Sequence, residues 1–411
     1  MGFSLTNLLL FLSTLGVRKD PRRLGSVPEL LIPIQGPIDP EVHFNLTEVA
    51  RFYGYDCEEH STITHDGYIL GLFRIRNKLL TRKGPKKVVL LQHGLVDSAH
   101  TWVNNLRNES LGFILADAGF DVWLGNSRGN TYSRRHQSLN PSSVEFWDFS
   151  WDHMALYDLP ATIYYILNQT KVDKIGYVGH SQGTQIAFAQ FSRDPELQKH
   201  ISVFIALAPV AFLSNIESPI RFIFPACRTI ERAVELFGHG EFLPHTKLIN
   251  FLAYFLCGAH RGSLVCRNII YLFTGYDAPN TNQTRLPIYI SHTPAGTSAQ
   301  NIVHYCQAFF NRRFRMFDYG RKMNMERYGQ PTPPDYDLSK FSVPVAMYSG
   351  GHDWLAVTQD VEHLISRIKG TVISHVHLPH YNHLDFVWGM DAGYKIYPHI
   401  LQILLAYASA V

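Results

Sequence analysis

Short apolar runs recur along this chain at regular intervals. Val88-Val-Leu-Leu-Gln92 ends at His93-Gly94, and Phe120-Asp-Val-Trp-Leu124 closes on Gly125. Lys174-Ile-Gly-Tyr-Val178, Val203-Phe-Ile-Ala-Leu207 and Val343-Pro-Val-Ala-Met-Tyr348 follow. Runs of this length with little alternation predict strands covered on both faces, as in a parallel sheet. Between them, Leu111 to Ala118 has helical spacing and stops at Gly119, a glycine helix end. Asp158-Leu-Pro160 reads as a helix start, with proline in the first turn. Helices alternating with such strands predict an α/β fold, a mostly parallel central sheet flanked by helices.

The alternation breaks over residues 213–336. Leu248, Ile249, Leu252, Phe255 and Leu256 carry amphipathic helical spacing, and Pro331, Pro333 and Pro334 mark a boundary. Strand-like segments resume afterwards, so this stretch reads as a helical insertion covering the sheet. The expected organisation is a core in two parts, 18–212 and 337–411, interrupted by the insertion. Residues 1–17 carry an apolar run, Leu8 to Leu12 and on to Val17, too short to span a bilayer. With small residues Thr14 and Gly16 near its end, it is expected to be a signal peptide, although no basic residue precedes it. Four acceptor sequons, at Asn45, Asn108, Asn168 and Asn282, agree with glycosylation in a secretory route. No later run is long enough for a transmembrane helix.

Composition narrows the picture further. Of 411 residues, 46% are hydrophobic, which suits a globular chain with a large core. The net charge of +3 and the lack of a long basic stretch exclude an evident nucleic-acid footprint. The short run Arg82, Lys83, Lys86, Lys87 reads as a solvated loop. The 5 cysteines are an odd number, leaving at least one unpaired within the chain. Cys257 and Cys266 enclose a short loop and form the best candidate pair in an oxidising compartment.

The chemistry concentrates in a few places. Gly-x-Ser-x-Gly marks a nucleophile elbow, a tight strand-to-helix turn that presents a serine hydroxyl. Alone it is weak, arising by chance in roughly one chain in seven of this length. Here it occurs at Gly125-Asn-Ser127-Arg-Gly129 and at Gly179-His-Ser181-Gln-Gly183. Ser181 follows a strand and precedes Thr184 to Phe191, a helix-forming stretch, whereas Ser127 leads into Asn130-Thr-Tyr-Ser and a loop. The elbow needs strand and helix on its two sides, so Ser181 is the expected nucleophile and Ser127 a turn residue. A serine needs a base and the base an orienting acid, which in the α/β-hydrolase fold follow in the order Ser, acid, His. Asp353 sits just past a strand, after Gly350-Gly-His, where the acid belongs; Asp360 falls within a helix. Four histidines follow: His375 and His377 share a face of one strand, and His383 and His380 both remain candidates for the base. Their clustering also resembles zinc-ligand spacing, but without cysteines or identifiable supporting partners a metal site is disfavoured. The oxyanion hole is expected from the backbone N–H groups of Gln182, after the nucleophile, and of Leu95 in the His93-Gly94-Leu95 loop.

Taken together, these stretches resemble the acid lipase family, which includes gastric and lysosomal acid lipases. The resemblance is carried by Gln92-His-Gly-Leu95, Ala116 to Asn130, Glu145-Phe-Trp, Tyr157-Asp-Leu-Pro-Ala161 and Gly179-His-Ser-Gln-Gly183. It continues through Ser291 to Ser298, Gly350-Gly-His-Asp-Trp-Leu355 and His383-Leu-Asp-Phe386, covering nearly all the chain after about residue 45. It implies His383 as the base and supports Ser181, Asp353, Leu95 and Gln182 in the roles above. It further implies a helical cap with a movable lid at about 213–336 and a Cys257–Cys266 disulfide. Thr274 stands where some members have a third cap cysteine, and Cys57, Cys227 and Cys306 fall outside the family pattern. The implied reaction is hydrolysis of a lipid ester, a triacylglycerol or sterol ester, at a lipid–water interface, with no cofactor, in a secreted or lysosomal protein. The competing readings are an esterase of small soluble esters and a catalytically silent lipid-binding protein of the same fold.

Overall fold

The computed structural model describes residues 39–80, 87–229, 231–232, 240–243, 268, 270–276, 278–368 and 370–408. The expected signal peptide, the Cys257–Cys266 pair and the Leu248–Leu256 helical stretch lie outside the described residues.

The central sheet is built from β1 (Tyr55–Ile63), β2 (Tyr68–Asn77), β3 (Val88–Gln92), β4 (Asp121–Gly125), β5 (Arg135–His136), β6 (Ile175–His180) and β7 (Ile201–Leu207). Strands β8 (Glu241–Phe242) and β9 (Thr297–Ser298) form a separate two-stranded ladder, and β10 (Val345–Gly350) and β11 (Val372–Leu378) complete the main sheet. Its order is β1-β2-β4-β3-β6-β7-β10-β11, with β5 pairing to β2. From β4 to β11 every neighbouring pair is parallel, while β2 runs antiparallel to both of its neighbours, β1 and β4. All five sequence-predicted strands are present.

The period of two along β3 explains why its run is uniformly apolar. Val89 and Leu91 enter one core with Val122, Val178 and Ile205. Val88 and Leu90 enter the opposite core with Trp123, Tyr177 and Phe204. Both faces are covered by helices, so neither set can be polar. The antiparallel β1–β2 hairpin was not anticipated, because β1 is Tyr-Asp-Cys-Glu-Glu-His-Ser-Thr-Ile and only Tyr55, Cys57 and Thr62 in it are buried. It begins after helix α1 (Leu46–Phe52), whose N-cap Asn45 accepts from Glu48 N while Glu48 returns a bond to Asn45 N, a reciprocal capping box.

Helix α2 (Leu111–Asp117) ends before Gly119, as predicted, with Gly119 at φ +83°. The helix predicted to start at Asp158 is present, with Pro160 in its first turn, but it continues an earlier helical stretch. Helical structure begins at Trp151, widens into a π turn over Met154–Asp158, and continues as α3 (Leu159–Thr170). Asp158 is itself helical, at φ −68° and ψ −48°. The widened turn accommodates Pro160, which cannot donate a backbone hydrogen bond. Helix α4 (Gln182–Arg193) follows β6 directly, α5 (Ala299–Asn311) follows β9, and α6 (Thr358–Arg367) and α7 (Tyr397–Ala408) come after β10 and β11 respectively. No helix among the described residues is long and apolar enough to cross a membrane.

A disulfide not anticipated from the sequence joins Cys227 to Cys306, which lies on α5, while Cys57 is a buried free thiol. Their 79-residue separation gave no local signal.

Candidate active site

The parallel strands β3, β6 and β10 end at the same edge of the sheet, and the loops that follow them meet there. After β6 the chain reverses at Ser181, whose backbone has φ 53° and ψ −117°. A left-handed φ is costly for a side chain larger than glycine and marks stored strain. The flanking glycines are required by contact. A Cβ on Gly183 would sit 2.4 Å from Gln92 O, and one on Gly179 would sit 2.8 Å from the backbone of Gly183. The elbow can close only because these positions lack side chains.

Ser181 Oγ lies 2.8 Å from His383 Nε2. On the other side of the ring, His383 Nδ1 lies 2.9 Å from Asp353 Oδ2 and 3.0 Å from Oδ1. The Nδ1–H donated to the carboxylate fixes the tautomer, so Nε2 is free to accept the serine proton. Asp353 is oriented in turn: its Oδ1 accepts from Leu355 N at 2.9 Å and Ala356 N at 2.8 Å. His383 is held through its backbone as well. Its N–H donates to Thr274 O at 3.1 Å, and its carbonyl accepts from His180 Nε2 at 2.9 Å. Burial holds the His180 pKa down at about 3, so this imidazole stays neutral and serves as a fixed donor.

Sequence reasoning brought together the three residues that the structure brings together. It left His380 open, and that side chain packs beside His352 instead. His375 and His377 share a face of β11 as expected, and both meet Ser349 Oγ, at 2.8 and 3.0 Å. No cluster of side chains suited to hold a metal occurs among the described residues. Asp360 lies inside α6, where its carboxylate accepts from Asn215 N and Nδ2.

Ser127 is buried, and its Oγ accepts from Gln92 Nε2 at 3.1 Å. The second Gly-x-Ser-x-Gly motif serves as a brace. Arg128 is fully buried, and its guanidinium bonds Asp158 and Asp66 while facing the Tyr68 ring at 4.0 Å. His93 completes this corner. Its Nε2 accepts from Ser127 N and Asn130 Nδ2, each at 3.1 Å, and its Nδ1 donates to Gly94 O at 2.7 Å. Burial pushes its pKa down to about 4.

Gly94 presses against the elbow: a Cβ there would lie 3.1 Å from Ser181 Cβ. The backbone N–H groups of Leu95 and Gln182 meet no acceptor among the described residues. The loop carrying Leu95 is buttressed by the segment that holds Thr293 and Ala295. Ala295 N donates to Val96 O at 2.7 Å, and Thr293 Oγ1 donates to Asp97 Oδ1 at 3.0 Å. Sequence reasoning missed the contacts of His180 and Thr274 with His383, because these partners are remote in the chain. A separate cavity of about 630 Å³ lies among Asp152, Tyr157, Arg193, Tyr328 and Tyr336, and none of Ser181, Asp353 or His383 lines it.

Comparison with known proteins places this geometry. A family model described as the α/β-hydrolase fold matches residues 87–390, and one described as a partial α/β-hydrolase lipase region matches residues 46–106. The chain is 46% identical over 374 residues to the human lysosomal acid lipase/cholesteryl ester hydrolase, covering 90% of this chain and 93% of that protein. The chain belongs to the acid lipase family. It is 45% identical to the rat gastric triacylglycerol lipase over 372 residues, covering 90% of this chain and 93% of the relative. Human lipase member M is 45% identical over 371 residues, 89% of this chain and 87% of that one. Among solved structures, a putative lipase from Sulfolobus solfataricus superposes with a TM-score of 0.54 at 14% identity, covering 82% of this chain and 90% of that one, a likeness of fold. The chain itself, by its 45–46% identity to the lysosomal and gastric lipases, is a serine hydrolase acting on carboxylic esters.

Proposed function

We propose that the protein hydrolyses triacylglycerols, sterol esters or both through an acyl-enzyme on Ser181. The observation that carries this reading is the unbroken line from Ser181 Oγ to His383 Nε2 at 2.8 Å and from His383 Nδ1 to Asp353 at 2.9 Å. In this account Ser181 Oγ attacks the ester carbonyl carbon while His383 Nε2 takes its proton. Asp353 stabilises the resulting imidazolium. The carbonyl oxygen becomes an oxyanion that accepts from the N–H groups of Leu95 and Gln182. The C–O bond to the alcohol then breaks, and His383 returns the proton to the leaving oxygen. Water, deprotonated by the same imidazole, attacks the acyl carbon; the bond to Ser181 Oγ breaks, His383 returns the proton to that oxygen, and the fatty acid leaves.

The lipid substrate class is supported by the names of the relatives, one a triacylglycerol lipase and another a cholesteryl ester hydrolase. The insertion, residues 213–336, is read as a cap with a lid. Its segment after Ile216 starts beside the triad, since Glu217 N and Ser218 N both donate to Trp354 O. Phe222, Ile223 and Phe310 remain exposed on it, which suits contact with a lipid surface. A secretory route fits the Cys227–Cys306 bridge and the sequon asparagines. The side-chain bonds of Asn45, Asn168 and Asn282 use the amide oxygen, leaving the nitrogen to carry a glycan.

The test compares emulsified triolein and cholesteryl oleate with a soluble short-chain ester. Preferential turnover of the emulsified esters, abolished by Ser181→Ala, is expected. Turnover of the soluble ester alone would replace the reading with a small-ester esterase, and no turnover of any ester would replace it with a lipid-binding protein.

A further inference from the structure

Gln182 needs only its backbone N–H for the role proposed above, yet its side chain is tied in three directions. Its Oε1 accepts from Asn301 Nδ2 at 2.9 Å and from the Tyr305 hydroxyl at 3.0 Å. Its Nε2 donates to Met154 Sδ at 3.2 Å. Both lone pairs of Oε1 are thereby used. The side chain is only 2% exposed, and burying an amide costs stability unless its partners are in place. An apolar side chain would fill the same volume without that requirement. A fully bonded amide specifies direction in a way packing alone does not.

The partners are themselves fixed. Asn301 and Tyr305 lie one turn apart on α5, so both face α4. Asn301 Oδ1 accepts from Trp151 N at 2.7 Å, and its Nδ2 also reaches Thr297 Oγ1 at 3.1 Å. The next residue along α5, Cys306, is bonded to Cys227. The peptide between Ser181 and Gln182 emerges from a strained elbow, at φ 53° and ψ −117°. A donor aimed at a developing oxyanion must hold its direction within about 10–20°; the carbonyl of this peptide is held by Thr184 N at 2.8 Å and Thr184 Oγ1 at 2.7 Å, and the Gln182 side chain is the second anchor, on the N–H side.

We propose that Asn301 and Tyr305 are positioning residues for the oxyanion donor, tying the Gln182 side chain so that its backbone N–H stays aimed at the reacting carbonyl oxygen. The inserted segment then completes the hydrolytic centre as well as covering it. This rests on the reading of Gln182 N–H as an oxyanion donor. It assigns a task to two residues of the insertion that never touch substrate.

The clean perturbation is Tyr305→Phe, which removes one hydroxyl and keeps the ring. Gln182→Met is the second variant: it removes the acceptor, preserves volume and keeps the backbone N–H. Thermal unfolding establishes that each variant is folded. The readout is kcat and KM on a soluble ester and on the matching thionoester, whose sulfur is a poor hydrogen-bond acceptor. For the ester, Tyr305→Phe should lower kcat about tenfold, less than the 10²–10³ of losing a donor outright, with KM within about twofold. The ester-to-thionoester ratio should shrink in both variants. Tyr305→Phe should add no further loss in the Gln182→Met background, since the Tyr305 hydroxyl no longer has the Gln182 acceptor there. Unchanged kcat, or equal losses on ester and thionoester, would overturn the proposal and leave the tie as packing. A wild-type ratio near one would instead overturn the oxyanion reading of Gln182, on which the proposal stands.

Discussion

Replacing Asp353 with asparagine changes one atom and should nearly silence the enzyme, and the structure dictates which way the new amide turns. Asp353 Oδ1 accepts from two backbone N–H groups, those of Leu355 and Ala356. An asparagine must place its oxygen there, because its NH₂ would oppose two donors. The NH₂ is then forced toward His383 Nδ1, in the position Oδ2 holds at 2.9 Å. That contact favours the tautomer with the proton on Nε2, which cannot take a proton from Ser181. A serine protease carrying the equivalent change loses about 10⁴ in kcat, or about 5 kcal/mol at 1.36 kcal/mol per factor of ten. The same order is expected here, because the shell around the acid is equally closed: Asp353 is 3% and His383 4% exposed. The assay is the single-turnover rate on a p-nitrophenyl ester, with thermal unfolding to confirm that the variant is folded. A loss below tenfold in a folded variant would refute the assignment of Asp353 as the group that orients His383.

Asp97 gives a pH-dependent prediction. Burial raises its pKa from 3.8 to about 6. A carboxyl whose folded pKa is raised contributes its stability below the unfolded pKa and loses it as pH climbs through the folded one. Wild type should therefore lose about 3 kcal/mol relative to Asp97→Asn between pH 4 and 7.5, at about 1.4 kcal/mol per pH unit over roughly two units. Urea unfolding of both proteins at the two pH values measures this, and a constant difference would contradict it. The Cys227–Cys306 bridge closes a long loop, so removing it as the double serine variant should cost about 2–4 kcal/mol. Calorimetry reads the effect, and an unchanged unfolding temperature would show that the bridge is not formed.

Much of the centre was legible because its signals are local. The elbow at Ser181 needs glycines at fixed offsets, and Gly183 shows why, with Gln92 O where its side chain would go. Asp353 and His383 were found through position after predicted strands, though residue logic alone left His380 in play until the family resemblance was added. The parallel strands were legible because both faces are buried, whereas β1 was missed because its solvent-facing residues dilute the apolar signal. The helical stretch from Trp151 that leads into α3 was missed because Asp158 looks like a cap, while its carboxylate is engaged with buried Arg128. The Cys227–Cys306 bridge and the Gln182–Asn301–Tyr305 tie join residues far apart in the chain. Such pairings depend on how the insertion folds back on the core, which no local pattern records.

The central claim is that Ser181 is the nucleophile, and covalent labelling tests it most directly. Incubation with a fluorophosphonate, digestion and mass spectrometry identify the modified serine. The account predicts a single adduct on the peptide containing Ser181, absent in Ser181→Ala and retained in Ser127→Ala. An adduct on Ser127, or full labelling of Ser181→Ala, would contradict it.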